Sequence, residues 1–521
     1  MKKNIKSIYI IAISFLGLGL ASCDDLLDVH VKGTTDADAF FTSSSAAEQS
    51  VTAAYAPLSW IFNETYYPEW FIGDVVSDDA LKGGQNIADM NTVYDMENFK
   101  TQSNNTYLLD FYRGQYMGIF RANLVLEKVA NMTMDLDNNP ALITRVLAEA
   151  RFLRAYYYFR LVRIFGGVPK VDFVIKYQAD WKQPRASAED IYSLIYSDLL
   201  AAIPDLPLKS KYAATDLGRA TQGAARALLM NAYMNNHEYA KAKAQGDTII
   251  SSGEYSLNPN YADNFTLAGE NGPESVFEIQ YTAEGTSDYG QGNGFTRGNF
   301  SVIMTRSRGA GTDAGWGFNH PSQELYDSYE SGDPRRDVTI YTPTTLSNPT
   351  EEIYLGNQHL NRKYAMMNDD DSYIKLDHPS RAPINQKEIR YADVLLMYAE
   401  ACCETGNLDA AKSALEQVRN RARQGNASIL PSFPYGSYAD NKDGLIQAIR
   451  HERRVELGME GKRWFDLIRW GIAGDVMNNY RETTSDLVKA QMSPFVKGKH
   501  ELFPIPLEEI EMNPMTQNPG Y

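Results

Sequence analysis

Cysteine is scarce: the 521 residues contain three, at positions 23, 402 and 403. So few thiols exclude a disulfide framework and a cysteine-rich metal site. A basic excess is missing too. Fifty Lys and Arg face 66 Asp and Glu, a formal charge of −16. No Lys/Arg run is long enough to track a phosphate backbone, which argues against a nucleic-acid surface. No stretch reaches eighteen consecutive apolar residues, the length of a spanning helix. Enzyme signatures are missing where they are easiest to see. His451 and Glu452 are adjacent without a second His at zinc-protease spacing, and neither a P-loop nor a Gly-x-Ser-x-Gly elbow occurs. Glycosidase carboxylate pairs are a matter of spatial arrangement and stay open. Asp369 to Asp371 form an acidic run without the loop spacing and glycine of an EF-hand, so a solvated loop is expected there, with no metal and no cofactor. What is plentiful is aromatic: 12% of the residues, including 33 Tyr and six Trp. With 43% hydrophobic residues, the chain has ample material for a large core.

The N-terminus carries a targeting pattern. Lys2, Lys3 and Lys6 form a positive region, followed by thirteen apolar residues from Ile8 to Leu20, too few to span a bilayer and suited to a secretory signal. Leu20, Ala21, Ser22 and Cys23 resemble a bacterial lipobox, which implies removal of residues 1–22 and diacylation of Cys23. The expected product has 499 residues and a charge of −19. It is a soluble body on a lipid tether, touching the membrane only through that lipid, with Asp24 to Gly33 as a flexible leash.

Periodicity predicts a mostly α fold. From Val146, apolar residues recur at Ala150, Leu153, Tyr157, Leu161 and Ile164, one stripe along a helix that Gly166, Gly167 and Pro169 stop. Two further blocks, from about Gln222 and from Arg390 to Arg423, look like helical hairpins of the tetratricopeptide type. Met230, Tyr233, Tyr239 and Ala242 mark one; Ala399, Gly406, Leu408 and Ala411 mark the other. The single body 23–521 then divides into helical blocks at about 115–255 and 385–475 and loop-rich segments at about 60–114, 256–384 and 476–521. Gly285 to Gly317 holds nine glycines in 33 residues, where average usage gives roughly two or three. Tyr289, Phe295, Phe300 and Trp316 within it, with Phe318 next to its end, point to an ordered binding loop. Trp60 to Phe71 is a second aromatic segment. Cys402 and Cys403 fall on a helix, as buried small hydrophobes.

The stretch Arg453-Arg454-Val455-Glu456-Leu457, continuing from Glu460 through Trp464 and Trp470 to Gly471, resembles the signature helices of the SusD/RagB family. The tail from Phe503-Pro504-Ile505-Pro506 to Asn518-Pro519-Gly520-Tyr521 is similar to that family's closing segment. Phe165-Gly166-Gly167-Val168-Pro169 and Asp333-Pro334-Arg335 match in family order. The resemblance implies a lipid-anchored outer-membrane protein of the Bacteroidetes type, facing outward. It captures a nutrient, usually a glycan, and serves as a lid over a SusC-like TonB-dependent transporter. It also implies tetratricopeptide-like hairpins that scaffold a loop-rich ligand-binding half, and no established enzymatic activity. The ligand itself does not transfer with the family pattern.

A binder of neutral glycans needs flat aromatic platforms for pyranose faces and carboxylates or amides for hydroxyls. Trp316, between Gly315 and Gly317, is the first candidate, since small neighbours leave an indole face open. Tyr289 beside Gly290 and Trp70 follow, with Asp78, Asp79 and Asn293 as hydroxyl partners. Core packing competes for each of these aromatics, and for Trp464 and Trp470 it is the expected role. Arg453, Glu456, Glu460 and Arg463, spaced three, four and three, are assigned to structure as charges aligned along one helical face. A surface glycan hydrolase and a peptide-capturing member of the same scaffold are the rival readings. Arg306 and Arg308 would make the local cluster needed for an anionic ligand.

Overall fold

A computed structural model describes residues 40–59, 68–132, 140–287, 297–308, 315–342, 353–366 and 376–521. Cys23, Tyr289, Asn293 and Asp369 to Asp371 lie outside these residues. The fold is mostly helical. Helices α1 (Ser44–Tyr55), α2 (Thr106–Lys128), α3 (Pro140–Phe165), α4 (Ala188–Ala202), α5 (Gln222–Asn235) and α6 (Tyr239–Ser251) make the first half. The second half holds α7 (Tyr391–Glu404), α8 (Leu408–Ala422), α9 (Lys442–Leu457), α10 (Arg463–Arg469), α11 (Ala473–Thr483) and α12 (Leu507–Met512). Side chains start several of them. Ser43 accepts from the Ala46 amide, Asn105 from Leu108, and Ser187 with Asp190 forms a reciprocal capping box. Helix α2 begins at Thr106, ahead of the predicted block, and α11 and α12 occupy part of the C-terminal segment read as loop.

Consecutive helices pack as the hairpin pattern requires: α2 on α3, α3 on α4, α5 on α6 and α7 on α8, with α6 and α9 both against α7. The predicted stripe of α3 is wholly buried, and so are Phe152, Tyr156 and Phe159 on its other faces, because α3 is covered on more than one side. Cys402 and Cys403 are free and buried in α7. Trp464 is buried against Phe99 and Phe495.

Strands are few and short. β1 (Ala80–Gly83) pairs antiparallel with β3 (Phe318–Pro321), β2 (Ser275–Ile279) with β6 (Gln386–Arg390), and β4 (Ile340–Tyr341) with β5 (Leu360–Asn361). Two of the pairs tie a loop-rich segment to a distant part of the chain, where Ala80 faces Pro321 and Ile279 faces Gln386, and the third closes a local loop within 256–384.

The signature stretch of α9 and α10 is a buried charge junction. Arg335 lies 2.5 Å from Glu452 and 2.9 Å from Glu456, and Arg390 lies 2.7 Å from each of Glu274, Glu456 and Glu460. Arg419 joins Glu330 and Glu452, and Arg421 joins Glu274 and Glu456. Arg453, Glu456, Glu460 and Arg463 therefore serve structure, although their partners come from other elements and not from one another. The tail closes the molecule at the end of α3: Asn518 donates to the carbonyls of Phe165 (3.0 Å) and Phe503 (2.6 Å), and Arg185 donates to Gly167 and to Thr516.

Candidate functional site

The glycines beside Trp316 pack; they do not open space. A Cβ on Gly315 would stand 2.4 Å from the Ile303 carbonyl oxygen, and Gly317 has φ +64°, a conformation that only glycine adopts freely. These features seat the chain against the short helix Ser301–Thr305. The Trp316 amide donates to Ile303 O at 2.7 Å, and Arg308 Nη1 donates to the Trp316 carbonyl at 3.0 Å. The half-buried indole meets the Phe300 ring edge-on, with centroids 5.6 Å apart.

Phe300 in turn lines a cleft of about 710 Å³, a size suited to several sugar units. Its walls come from four places in the chain. Tyr55 and Leu58 arrive at the end of α1, Leu217 to Arg219 from the turn before α5, Phe277 to Gln280 from β2, and Arg297, Gly298 and Phe300 from the glycine-rich segment. Its charged groups are already paired. Arg219 lies 2.9 Å from Asp216 and 3.1 Å from Glu149, and Glu278 lies 2.6 Å from Lys387. Gln49, Thr52 and Thr282 add amide and hydroxyl groups among the apolar ones. Glu278 is the one carboxylate among the described lining residues, whereas glycoside hydrolysis ordinarily takes two.

Other sequence candidates occupy different places. Trp70 is 5% exposed; its Nε1 donates to Ser301 Oγ at 3.0 Å and its ring lies on Phe71. It is a core residue, beside an internal cavity of about 30 Å³, room for about one water. Asp78 and Asp79 are not hydroxyl partners. Asp78 accepts from Arg463 at 2.8 and 2.9 Å and pairs with Arg454 at 2.9 Å, and Asp79 accepts from Arg454 at 2.6 Å. Burial alone would raise both pKa values. The two guanidiniums hold Asp78 well below the ordinary carboxylate range, whereas burial and the Asp78 charge push Asp79 up. Both carboxylates are consumed inside the fold. Arg306 and Arg308 form no open anion cluster either. Arg306 is fully buried and donates to the carbonyls of Ala365 and Met366, and Arg308 holds Trp316. Glu452 belongs to the charge junction, and His451 stands 3.7 Å from Glu330. Among the described residues no group of three His, Cys, Asp or Glu is placed to hold a metal.

The sequence reading missed Tyr55, Leu58, Phe277 and Ile279 as cleft residues. Taken singly, each reads as an ordinary core position, and only the assembly of four distant segments makes a wall of them.

Comparison with known proteins adds what geometry leaves unnamed. The SusD family model matches residues 273–521, and a second model, described as starch-binding associating with outer membrane, matches residues 31–234. The chain belongs to the SusD family. A SusD-like protein of Formosa agariphila is 27% identical, the alignment covering 98% of this chain and 99% of that protein. The solved structure of a laminarin-binding SusD-like protein is 27% identical with a TM-score of 0.76, covering 92% of this chain and 100% of that one. Surface glycan-binding protein A from Bacteroides thetaiotaomicron, in complex with laminarihexaose, is 26% identical with a TM-score of 0.75 over the same shares. The description of the second model associates this SusD family protein with the outer membrane. Among the described residues no helix is long and apolar enough to cross a membrane.

Proposed function

We propose that this SusD family protein captures a glycan at the cell surface and passes it, uncleaved, to a SusC-like TonB-dependent transporter, while a lipid on Cys23 holds it to the outer membrane. The observation that carries the reading is an open cleft lined by Tyr55, Phe277 and Phe300, with the half-buried Trp316 packed on Phe300, in a chain similar over nearly its full length to glycan-binding proteins. Stacked pyranose rings need such aromatic faces, and amides and hydroxyls around them suit a neutral ligand. Trp316 stays the first ligand residue. Tyr289 and Asn293 remain assigned to the same glycine-rich segment. Among the described lining residues the carboxylate is Glu278, and its pairing with Lys387 suits capture of a ligand by its hydroxyls.

Calorimetric titration with laminarin, amylopectin, xyloglucan and galactomannan tests this. Binding of one of them in the micromolar to millimolar range is expected from a shallow aromatic site, with the polymer length unchanged after incubation. Trp316→Ala should remove most of that binding. Absence of binding across the panel, or shortening of the polymer, would overturn the reading.

A further inference from the structure

The segment between α3 and α4 presents a second aromatic surface. Tyr177 and Trp181 flank the single helical turn Gln178–Asp180 and are 72% and 64% exposed, the two most exposed large hydrophobic side chains among the described residues. Trp70, Trp316, Trp464 and Trp470 each pack on a neighbouring ring or cation. Tyr177 and Trp181 do not, among the described residues. Tryptophan is highly buried on average, so an uncovered indole four residues from an uncovered phenol marks this turn as a ligand-facing surface.

The segment is fastened at both ends. Asn123 on α2 donates to the carbonyls of Val171 (2.9 Å) and Phe173 (3.0 Å), Arg154 donates to Asp172 O (3.1 Å), and Lys176 pairs with Glu127 at 2.7 Å. At the other end the Gln183 amide donates to Asn513 Oδ1 (3.2 Å) and its side chain to Asp180 O (2.8 Å). The two rings are thus offered from a fixed turn, which lowers the ordering cost of binding. Their neighbours choose the ligand. Gln178, Asp180 and Lys182 put an amide, a carboxylate and an ammonium next to the rings, the mixture that serves sugar hydroxyls. The segment carries Lys170, Lys176, Lys182 and Arg185 against Asp172 and Asp180. Lys176 pairs with Glu127, Lys170 stands 4.0 Å from Asp172, and Arg185 is held by the Gly167 and Thr516 carbonyls, which leaves Lys182 beside the rings with Asp180 to offset it, short of the polybasic cluster that draws a protein to anionic lipid.

We propose that Tyr177 and Trp181 form a second glycan platform, built on elements separate from those that seat Trp316 and stacking on another stretch of the same polysaccharide. The proposal rests on the glycan-capture reading above and extends it. Two weak sites on one rigid body hold a long chain far better than either alone, whereas a short oligosaccharide meets them independently.

The test compares wild type, the Tyr177→Ala/Trp181→Ala double variant and Trp316→Ala, first by thermal melting and then by titration with laminarin, the other three polysaccharides and laminarihexaose. The double variant should melt with wild type, because neither ring is packed, and should bind the preferred polysaccharide at least about tenfold more weakly. Binding through Trp316 should persist in it. In wild type, tryptophan emission should shift on titration, and the shift should shrink in the double variant. Unchanged polysaccharide affinity in the double variant overturns the second platform and leaves glycan capture standing. A wild type that binds nothing in the panel overturns both. Loss of co-sedimentation with anionic phospholipid vesicles, at unchanged glycan affinity, overturns the platform in favour of a lipid-facing role.

Discussion

Arg390 and Glu456 meet at 2.7 Å in the interior, where both side chains are shielded from solvent. The contact joins strand β6 to helix α9. The same carboxylate also receives Arg335 and Arg421, so one acid faces three guanidiniums. Burial would raise its pKa, yet Arg421, Arg390 and Arg335 hold it down to about 2. Isolated buried ions are costly to desolvate, and a junction of this kind persists only when each charge is met. This gives the family signature a physical meaning: it is the clasp between the C-terminal helices and the loop-rich half.

Glu456→Gln should therefore destabilise the protein by about 3 to 5 kcal/mol, since it removes the shared countercharge from buried guanidiniums. The effect should depend on pH. The native pKa lies below the ordinary value of 4.5, so the contribution is complete above that value and is lost as pH falls towards 2. Urea unfolding of wild type and variant at pH 7, 5, 4 and 3 should show the gap between them narrowing at the acid end. A gap that stays constant would mean that packing, and not the Glu456 charge, carries the difference.

Asp74 provides the opposite case. It accepts from the Gly461 amide at 2.8 Å and from Asn319 Nδ2 at 3.2 Å, and burial still pushes its pKa up to about 7. Between about pH 4 and 7 the folded state binds more protons than the unfolded one, so rising pH erodes stability at this site. Asp74→Asn keeps an acceptor for Gly461 and removes the charge. The variant should be more stable than wild type at pH 8, by on the order of 2 kcal/mol, and should lose that advantage at pH 4. Equal melting temperatures at pH 8 would remove Asp74 from the account of alkaline sensitivity.

Cys23→Ala tests the anchor. A lipid on Cys23 is the expected attachment, and no described helix can substitute for it. Fractionation should find the variant released in soluble form or retained as unprocessed precursor. Continued outer-membrane attachment in a strain lacking the transporter would refute the lipobox.

How much could be read beforehand depended on whether the signal was local. The α3 stripe and the hairpins α5–α6 and α7–α8 repeat a period within one element, so sequence spacing alone places them. Residue type alone made Asp78 and Asp79 candidates for sugar hydroxyls. Their partners, Arg454 and Arg463, come from the C-terminal helices, and only the tertiary fold brings them into reach. The cleft eluded the sequence for the same reason: Tyr55, Phe277 and Phe300 become one wall only when the end of α1, β2 and the glycine-rich segment meet in the fold. Composition did mark the glycine-rich segment, but the glycines beside Trp316 serve close packing and a left-handed turn, not open space.

That last point yields the sharpest test of the Trp316 seat. At Gly315 a Cβ would fall 2.4 Å from Ile303 O and 2.5 Å from Arg306 Cβ, distances that force the backbone aside. Arg306 cannot yield easily, because its guanidinium is fixed inside the fold by the Ala365 and Met366 carbonyls. Gly315→Ala should accordingly cost about 1 to 3 kcal/mol in stability, the usual range for overpacking. It should also weaken glycan binding, since the displaced chain loses the Trp316 N–H to Ile303 O bond and with it the indole's position on Phe300. Trp316→Ala removes the ring but leaves the backbone seat, so its melting temperature should fall less than that of Gly315→Ala while its affinity falls more. Melting curves and titrations of the two variants side by side separate these effects. If Gly315→Ala binds as tightly as wild type despite a lowered melting temperature, the seat is a matter of stability alone, and ligand recognition does not depend on where it holds Trp316.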